Sequence, residues 1–247
     1  VQQRTNEFGQ PIGLPVTNWE GVPKPDGTAL TGRYCRLERL DVERHANELY
    51  DAYGQAPDAR DWTYLSAGPF ESFDAFRAHL TRIAATADPF HYTVIDTAKG
   101  KAVGTLALMR IDASNGVIEV GFVTFSRLLQ KTRAATEAIY LLMRYAFDTL
   151  GYRRFEWKCD SLNAPSRSAA LRFGFTFEGI FRQAIVVHGR NRDTAWFSII
   201  DSEWPAIRTA FDTWLEPENF DAGGVQRRKL AELIEAQRGA AHVTASR

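Results

Sequence analysis

The chain has 247 residues, enough for one domain with extensions or two small domains. Its 45% hydrophobic and 12% aromatic content suits a sizeable core and excludes wholesale disorder. Thirty basic residues balance thirty acidic ones, so nothing electrostatic favours nucleic acid or an anionic membrane as partner.

Residues 7–32 are rich in Pro and Gly yet carry Ile12, Leu14, Val16, Trp19 and Val22. They read as a strap lying against the domain rather than a helix or a free linker. Residues 32–40 alternate as a first strand. Asp41 caps a helix to about Tyr53, stopped by Gly54 and Pro57, and Ser72 caps a second carrying Phe73, Phe76, Leu80 and Ile83. Between these helices lies an aromatic loop, residues 61–65. Residues 91–96 and 102–109 form a hairpin, and a second turn leads into a strand over 117–124. A helix follows from Thr132 to Leu150, ended by Gly151, and then a strand over 153–160. Asn163 caps a short helix with Pro165 in its first turn. Residues 175–187 and 192–200 make the last hairpin, Ser202 caps a helix through Leu215, and 225–238 allows one more. The segments divide as 1–32 (strap), 33–215 (domain) and 216–247 (tail), the tail serving a partner or a homodimer.

Cys35 and Cys159 fall in separate strands and read as buried, inert thiols of a reducing compartment. The five histidines are scattered, so no metal is expected. No leader or apolar span is evident, which points to the cytoplasm.

The chemistry concentrates between Val117 and Gly179. A strand, Val117-Ile-Glu-Val-Gly-Phe-Val-Thr124, runs into Leu129-Gln-Lys-Thr-Arg-Ala-Ala-Thr-Glu-Ala138, a helix start whose free amides suit an anion. Asn163-Ala-Pro-Ser-Arg167 and Gly174-Phe-Thr-Phe-Glu-Gly179 follow. This order and spacing resemble the GNAT family of N-acetyltransferases, closest to the ribosomal-protein N-terminal (alanine/serine) acetyltransferase-like group. The resemblance covers residues 33–200. It implies an α/β three-layer fold with a central mixed, mostly antiparallel sheet flanked by helices.

It also implies a site. Gln130, Lys131, Thr132, Arg133, Ala134, Ala135 and Thr136 align with the loop that binds the pyrophosphate of acetyl-CoA, although Lys131 and Arg133 stand where the family usually has glycine. If both have ordinary helical φ, two cations and the hydroxyls of Thr132 and Thr136 face the phosphates. Backbone amides of Phe122, Val123 and Thr124 would hold the pantetheine arm and polarise the thioester carbonyl. Asn163 would bond the cofactor, and Ser166 would return a proton to the departing thiolate. Both also suit simple capping.

Glu119 alternates onto an apolar strand face, where a carboxylate is either a candidate base or simply a Glu at the solvated end of the strand, with Asp193 as rival acid or as ion-pair partner of Arg190 or Arg192. Trp62, Tyr64 and Phe70 would line an acceptor entrance between loop 61–65 and the turn at 188–191, or plug the core. An N-acetyltransferase acting on an α-amino group or small-molecule amine by direct attack is the reading. The alternative is a non-catalytic GNAT-like binding module, motivated by the altered loop.

Overall fold

The computed structural model describes residues 4–245. The described residues hold ten strands and six α-helices; from the strand at Cys35–Arg39 to the helix ending at Leu215 they follow the expected order, and three two-residue strands before it were not expected. A short hairpin, β1 (Arg4–Thr5) with β2 (Pro11–Ile12), stands apart from the main sheet. The sheet holds β3 (Leu30–Thr31), β4 (Cys35–Arg39), β5 (Phe90–Asp96), β6 (Lys101–Asp112), β7 (Val117–Phe125), β8 (Arg154–Asp160), β9 (Thr176–Val187) and β10 (Arg190–Ile200). They lie in the order β3-β4-β5-β6-β7-β8-β10-β9, antiparallel throughout except for the parallel pair β7–β8.

The helices are α1 (Val42–Tyr53), α2 (Phe73–Ala84), α3 (Arg133–Arg144), α4 (Ala164–Arg172), α5 (Trp204–Leu215) and α6 (Leu230–Ala245). Asp41, Ser72, Thr132 and Asn163 cap their helices, each side-chain oxygen accepting from an amide three residues on. Ser202 does not cap α5. That helix starts at Trp204, with Pro205 in a first turn that needs one donor fewer satisfied. The helix expected to reach Leu150 changes to a wide π turn at Tyr145–Thr149. There Tyr145 turns its hydroxyl onto Asp26 at 2.8 Å.

Burial divides the sheet into two faces. One packs Leu37, Tyr92, Leu106, Ile118, Val120, Phe155 and Phe197 with α3, α5 and α6 in the main core. On the other, α1 and α2 cover only the β4–β6 half, through Leu40, Leu49, Phe76, Leu80 and Ile95. The uncovered half carries the polar side chains of β7, β8 and β10.

The strap is anchored by part of its length. Trp19 Nε1 donates to Ser114 O at 2.6 Å and the Val22 amide to Ala113 O at 3.0 Å. The Trp19 ring fills the space a Cβ on Gly116 would need. Ile12, Leu14 and Val16 do not pack as expected and face solvent. The C-terminal segment does the reverse: Leu230, Leu233 and Ile234, expected to serve a partner, are buried in the main core. Both cysteines are free and buried. Among the described residues, no helix is long and apolar enough to cross a membrane.

Candidate acyl-transfer site

The site begins where two parallel strands part. β7 and β8 pair from Val117↔Arg154 to Val120↔Trp157 and no further. Beyond that point β7 stays with β6 while β8 stays with β10, so a wedge opens between them. The register slips here: Gly121 and Thr124 pair with Ala107 and Thr105, which leaves one extra residue on β7. Phe122 takes up the slack at φ 48°, a conformation costing about 1–2 kcal/mol for a residue with a Cβ. Tyr53 of α1 braces this half of β7, its hydroxyl donating to Thr124 O at 3.0 Å and meeting Thr105 Oγ1 at 3.2 Å. Val123 packs at the margin of the main core.

The chain then turns into α3. Gln130 Nε2 donates to Phe125 O at 2.8 Å, and Thr132 Oγ1 accepts from the Ala135 amide at 3.1 Å. Lys131 does not have helical φ. It sits at +61°, so the left-handed backbone usual for glycine is kept by a lysine with its side chain exposed. Arg133 is the first helical residue, and its guanidinium lies over Tyr34 (4.7 Å) and Phe220 (4.8 Å). Ala134, Ala135 and Thr136 complete a buried first turn. The Thr136 hydroxyl is engaged by Arg172 Nη1 at 3.1 Å. The picture of two cations and two free hydroxyls is therefore replaced: Lys131 remains free to meet a phosphate. Arg172 of α4, not foreseen, brings its cation to the first turn of α3. Burial lowers its pKa.

Across the wedge, Asn163 Oδ1 accepts from the Ser166 amide at 3.1 Å, capping α4. Ser166 Oγ accepts from Trp157 Nε1 at 3.0 Å, and its hydroxyl also lies against the buried Cys159 thiol.

Glu119 lies on the uncovered sheet face and is only 4% exposed. It is not unpaired. Lys158 Nζ reaches it at 2.9 Å and Glu156 at 2.5 Å, with Arg110 Nε 3.4 Å from Glu119. Burial pushes the Glu119 pKa up against the pull of Lys158 and Arg110. A Cβ on Gly121 would collide with Met109 Sδ, so Gly121 lets that thioether lie beside the carboxylate. Trp196 completes the face, with Lys158 Nζ 3.7 Å from its ring centroid. Strand alternation places Glu119 on an apolar face but leaves a solvated strand end open, and its burial decides between the two. The register Glu119↔Glu156 and Lys158↔Trp196 supplied its partners. Asp193 forms no ion pair with Arg190 or Arg192; it accepts from the Gln183 amide (2.7 Å) and Asn191 (2.9 Å).

Loop 61–65 arches over the wedge. Tyr64 donates to Leu162 O at 3.2 Å, and His188 and Arg190 meet Leu65 O and Thr63 O at 3.0 Å each. Tyr64 is part-exposed. Trp62 and Phe70 pack edge-on to each other, against Tyr53 and Phe76, as plugs that hold the arch.

The chain is similar in sequence and fold to known proteins. The acetyltransferase (GNAT) domain profile matches residues 35–176. A GCN5-related N-acetyltransferase from Brucella melitensis is 50% identical, with a TM-score of 0.87 over 89% of this chain and 100% of that one. "Uncharacterized N-acetyltransferase p20" of Bacillus licheniformis is 26% identical over 68% of this chain and 96% of its own length. The Bacillus subtilis (strain 168) protein named "Putative ribosomal N-acetyltransferase YdaF" is 29% identical over 42% of this chain and 57% of its own length.

Proposed function

This chain belongs to the acetyltransferase (GNAT) family, and we propose that it acetylates an α-amino group, of a protein or peptide N-terminus or of a small molecule, by direct attack. As an acyltransferase of this family it draws on acetyl-CoA, which supplies an activated acetyl group when bound. The observation that carries the reading is the parting of β7 from β8 with a buried, charge-paired Glu119 beside it.

The residues at the wedge suit the cofactor. Lys131, the Gln130–Thr132 turn and the first turn of α3 (Arg133, Ala134, Ala135, Thr136) form a helix start that favours a pyrophosphate. The Phe122–Thr124 backbone and Asn163 border the wedge where the pantetheine arm would lie. Glu119 accepts the amine's proton, directly or through water, while Lys158 fixes the carboxylate's direction. Ser166 would return a proton to the departing thiolate, exchanging its contact with Cys159 to do so. An α-amine near pKa 7.7–8.0 needs less help than lysine near 10.4, which suits a base already held by a cation. The Bacillus subtilis relative is named as a ribosomal N-acetyltransferase, which supports a protein amine among the acceptors.

A thermal-shift titration with acetyl-CoA, followed by an acetylation assay over N-terminal peptides, lysine peptides and small amines, tests this. Expected are a raised Tm and a preference for α-amines. No shift at millimolar acetyl-CoA would sink the reading. A shift with no acceptor turned over would favour a binding module.

A further inference from the structure

One stretch of backbone at the wedge has little to fix it. β8 leaves β7 after Val120, and the β6 register skips two residues, so among the described residues Phe122 and Val123 pair with no strand. Phe122 nevertheless keeps a left-handed φ of 48°, a conformation that persists only where its surroundings enforce it. Thr124 Oγ1 donates to Phe122 O at 3.3 Å, a tie within the stretch itself. Among the described residues, Tyr53 is the one side chain of another element that bonds the backbone from Gly121 to Thr124, donating to Thr124 O at 3.0 Å.

Tyr53 is the last residue of α1, which buries Leu49 and Ala52 and ends at Gly54. Its hydroxyl has a single hydrogen. With Thr124 O taking it, Thr105 Oγ1 at 3.2 Å donates back to the phenol oxygen, so one side chain clasps β6 to β7 beside the bulge. Burial raises the phenol's pKa, which keeps that hydrogen in place at neutral pH. The ring reaches the other way, into the arch. Trp62 meets it edge-on at 5.5 Å, and the indole occupies the space that a Cβ on Gly68 would need.

We propose that Tyr53 is a positioning residue for acetyl transfer, its hydroxyl setting the Phe122–Thr124 backbone against the acyl end of the cofactor and its ring setting the arch over the acceptor. This rests on the acetyltransferase reading above. Amides that polarise a thioester carbonyl are effective only when aimed in advance, and a misplacement of about 1 Å can cost roughly 10²-fold in rate. Phenylalanine at this position fills the same space but leaves the Thr124 carbonyl ungripped and the stretch free to drift. The cofactor's phosphates are held at the start of α3, which Tyr53 does not touch, so the loss falls on turnover rather than on cofactor affinity.

Tyr53→Phe tests this beside Tyr145→Phe, which deletes a comparable hydroxyl bond, to Asp26 at 2.8 Å, beyond the other end of α3. Tyr53→Phe should lower kcat roughly 10–100-fold with the acetyl-CoA Kd kept within about twofold. It should also speed amide exchange across residues 122–124 in the free protein. Tyr145→Phe should do neither. Tyr53→Leu, which removes the ring as well, should in addition raise the acceptor KM. A wild-type kcat in Tyr53→Phe, unchanged exchange at 122–124, or an equal kcat loss in Tyr145→Phe overturns the proposal. An acceptor KM equal in the Phe and Leu variants overturns the ring's part in it. A wild type that binds no acetyl-CoA fails the acetyltransferase reading instead, and the exchange rates still report whether Tyr53 holds the stretch.

Discussion

Glu119 shows what a single position has to resolve. Its carboxylate is buried, which favours the neutral acid, and touches Lys158, which favours the anion. Glu119→Gln should lower turnover at neutral pH by roughly 10²–10⁴-fold while sparing acetyl-CoA affinity. The deficit should narrow as pH rises and the amine loses its proton unaided, so a pH–rate profile is the measurement. A rate unchanged across pH would hand the role to water. Lys131 poses a different problem, a side chain on a left-handed backbone. Lys131→Ala should weaken CoA binding more at low salt than at high, as screening requires. Arg133→Ala should act instead through stability, because its guanidinium is spent on Tyr34 and Phe220. Calorimetric titration of each variant at two salt concentrations separates these outcomes.

At the scale of elements, β5 carries a pH dependence. His91 is buried, its Nδ1 lacks a partner, and burial together with Arg39 lowers its pKa to about 4. The unfolded chain, with histidine near 6.5, binds the proton more readily across that window. Stability is therefore complete above about pH 6.5 and falls as pH drops toward 4, by about 2 kcal/mol between pH 7.5 and 5. His45, held between the Asp41 amide and Thr93 with its pKa also lowered by burial, acts in the same direction. Urea unfolding at both pH values should show the loss, and His91→Phe should flatten it.

For the whole molecule, the segment after residue 216 is part of the domain. Leu230, Leu233 and Ile234 insert fully into the main core, and α6 packs chiefly on α5. At about 1.5–3 kcal/mol for each buried side chain, truncation after Glu216 should cost several kcal/mol and expose Trp214 and Phe211 beneath. Thermal melts of the truncated chain should show a lower Tm or aggregation. An unchanged Tm would mean that α6 contributes nothing to the fold.

Local signals determined a great deal here. Period-two and period-3.6 patterns, four side-chain caps and the turns at Gly54, Gly100, Gly116 and Gly151 set out the element order from β4 to α5, because each depends on near neighbours in the chain. The capped start of α3 at Thr132 and the place of Glu119 on an apolar strand face were legible on the same grounds. What the sequence could not disclose were contacts between residues far apart in it. Lys158 and Arg110 reach Glu119 only through sheet register, and Arg172 reaches Thr136 only because α4 packs beside α3. Hydrophobicity alone likewise misjudged the two ends. Ile12, Leu14 and Val16 are as apolar as Leu230, Leu233 and Ile234, but only the second set finds a surface within the chain to cover. Burial belongs to a pair of surfaces, and which surfaces meet is decided by the tertiary fold.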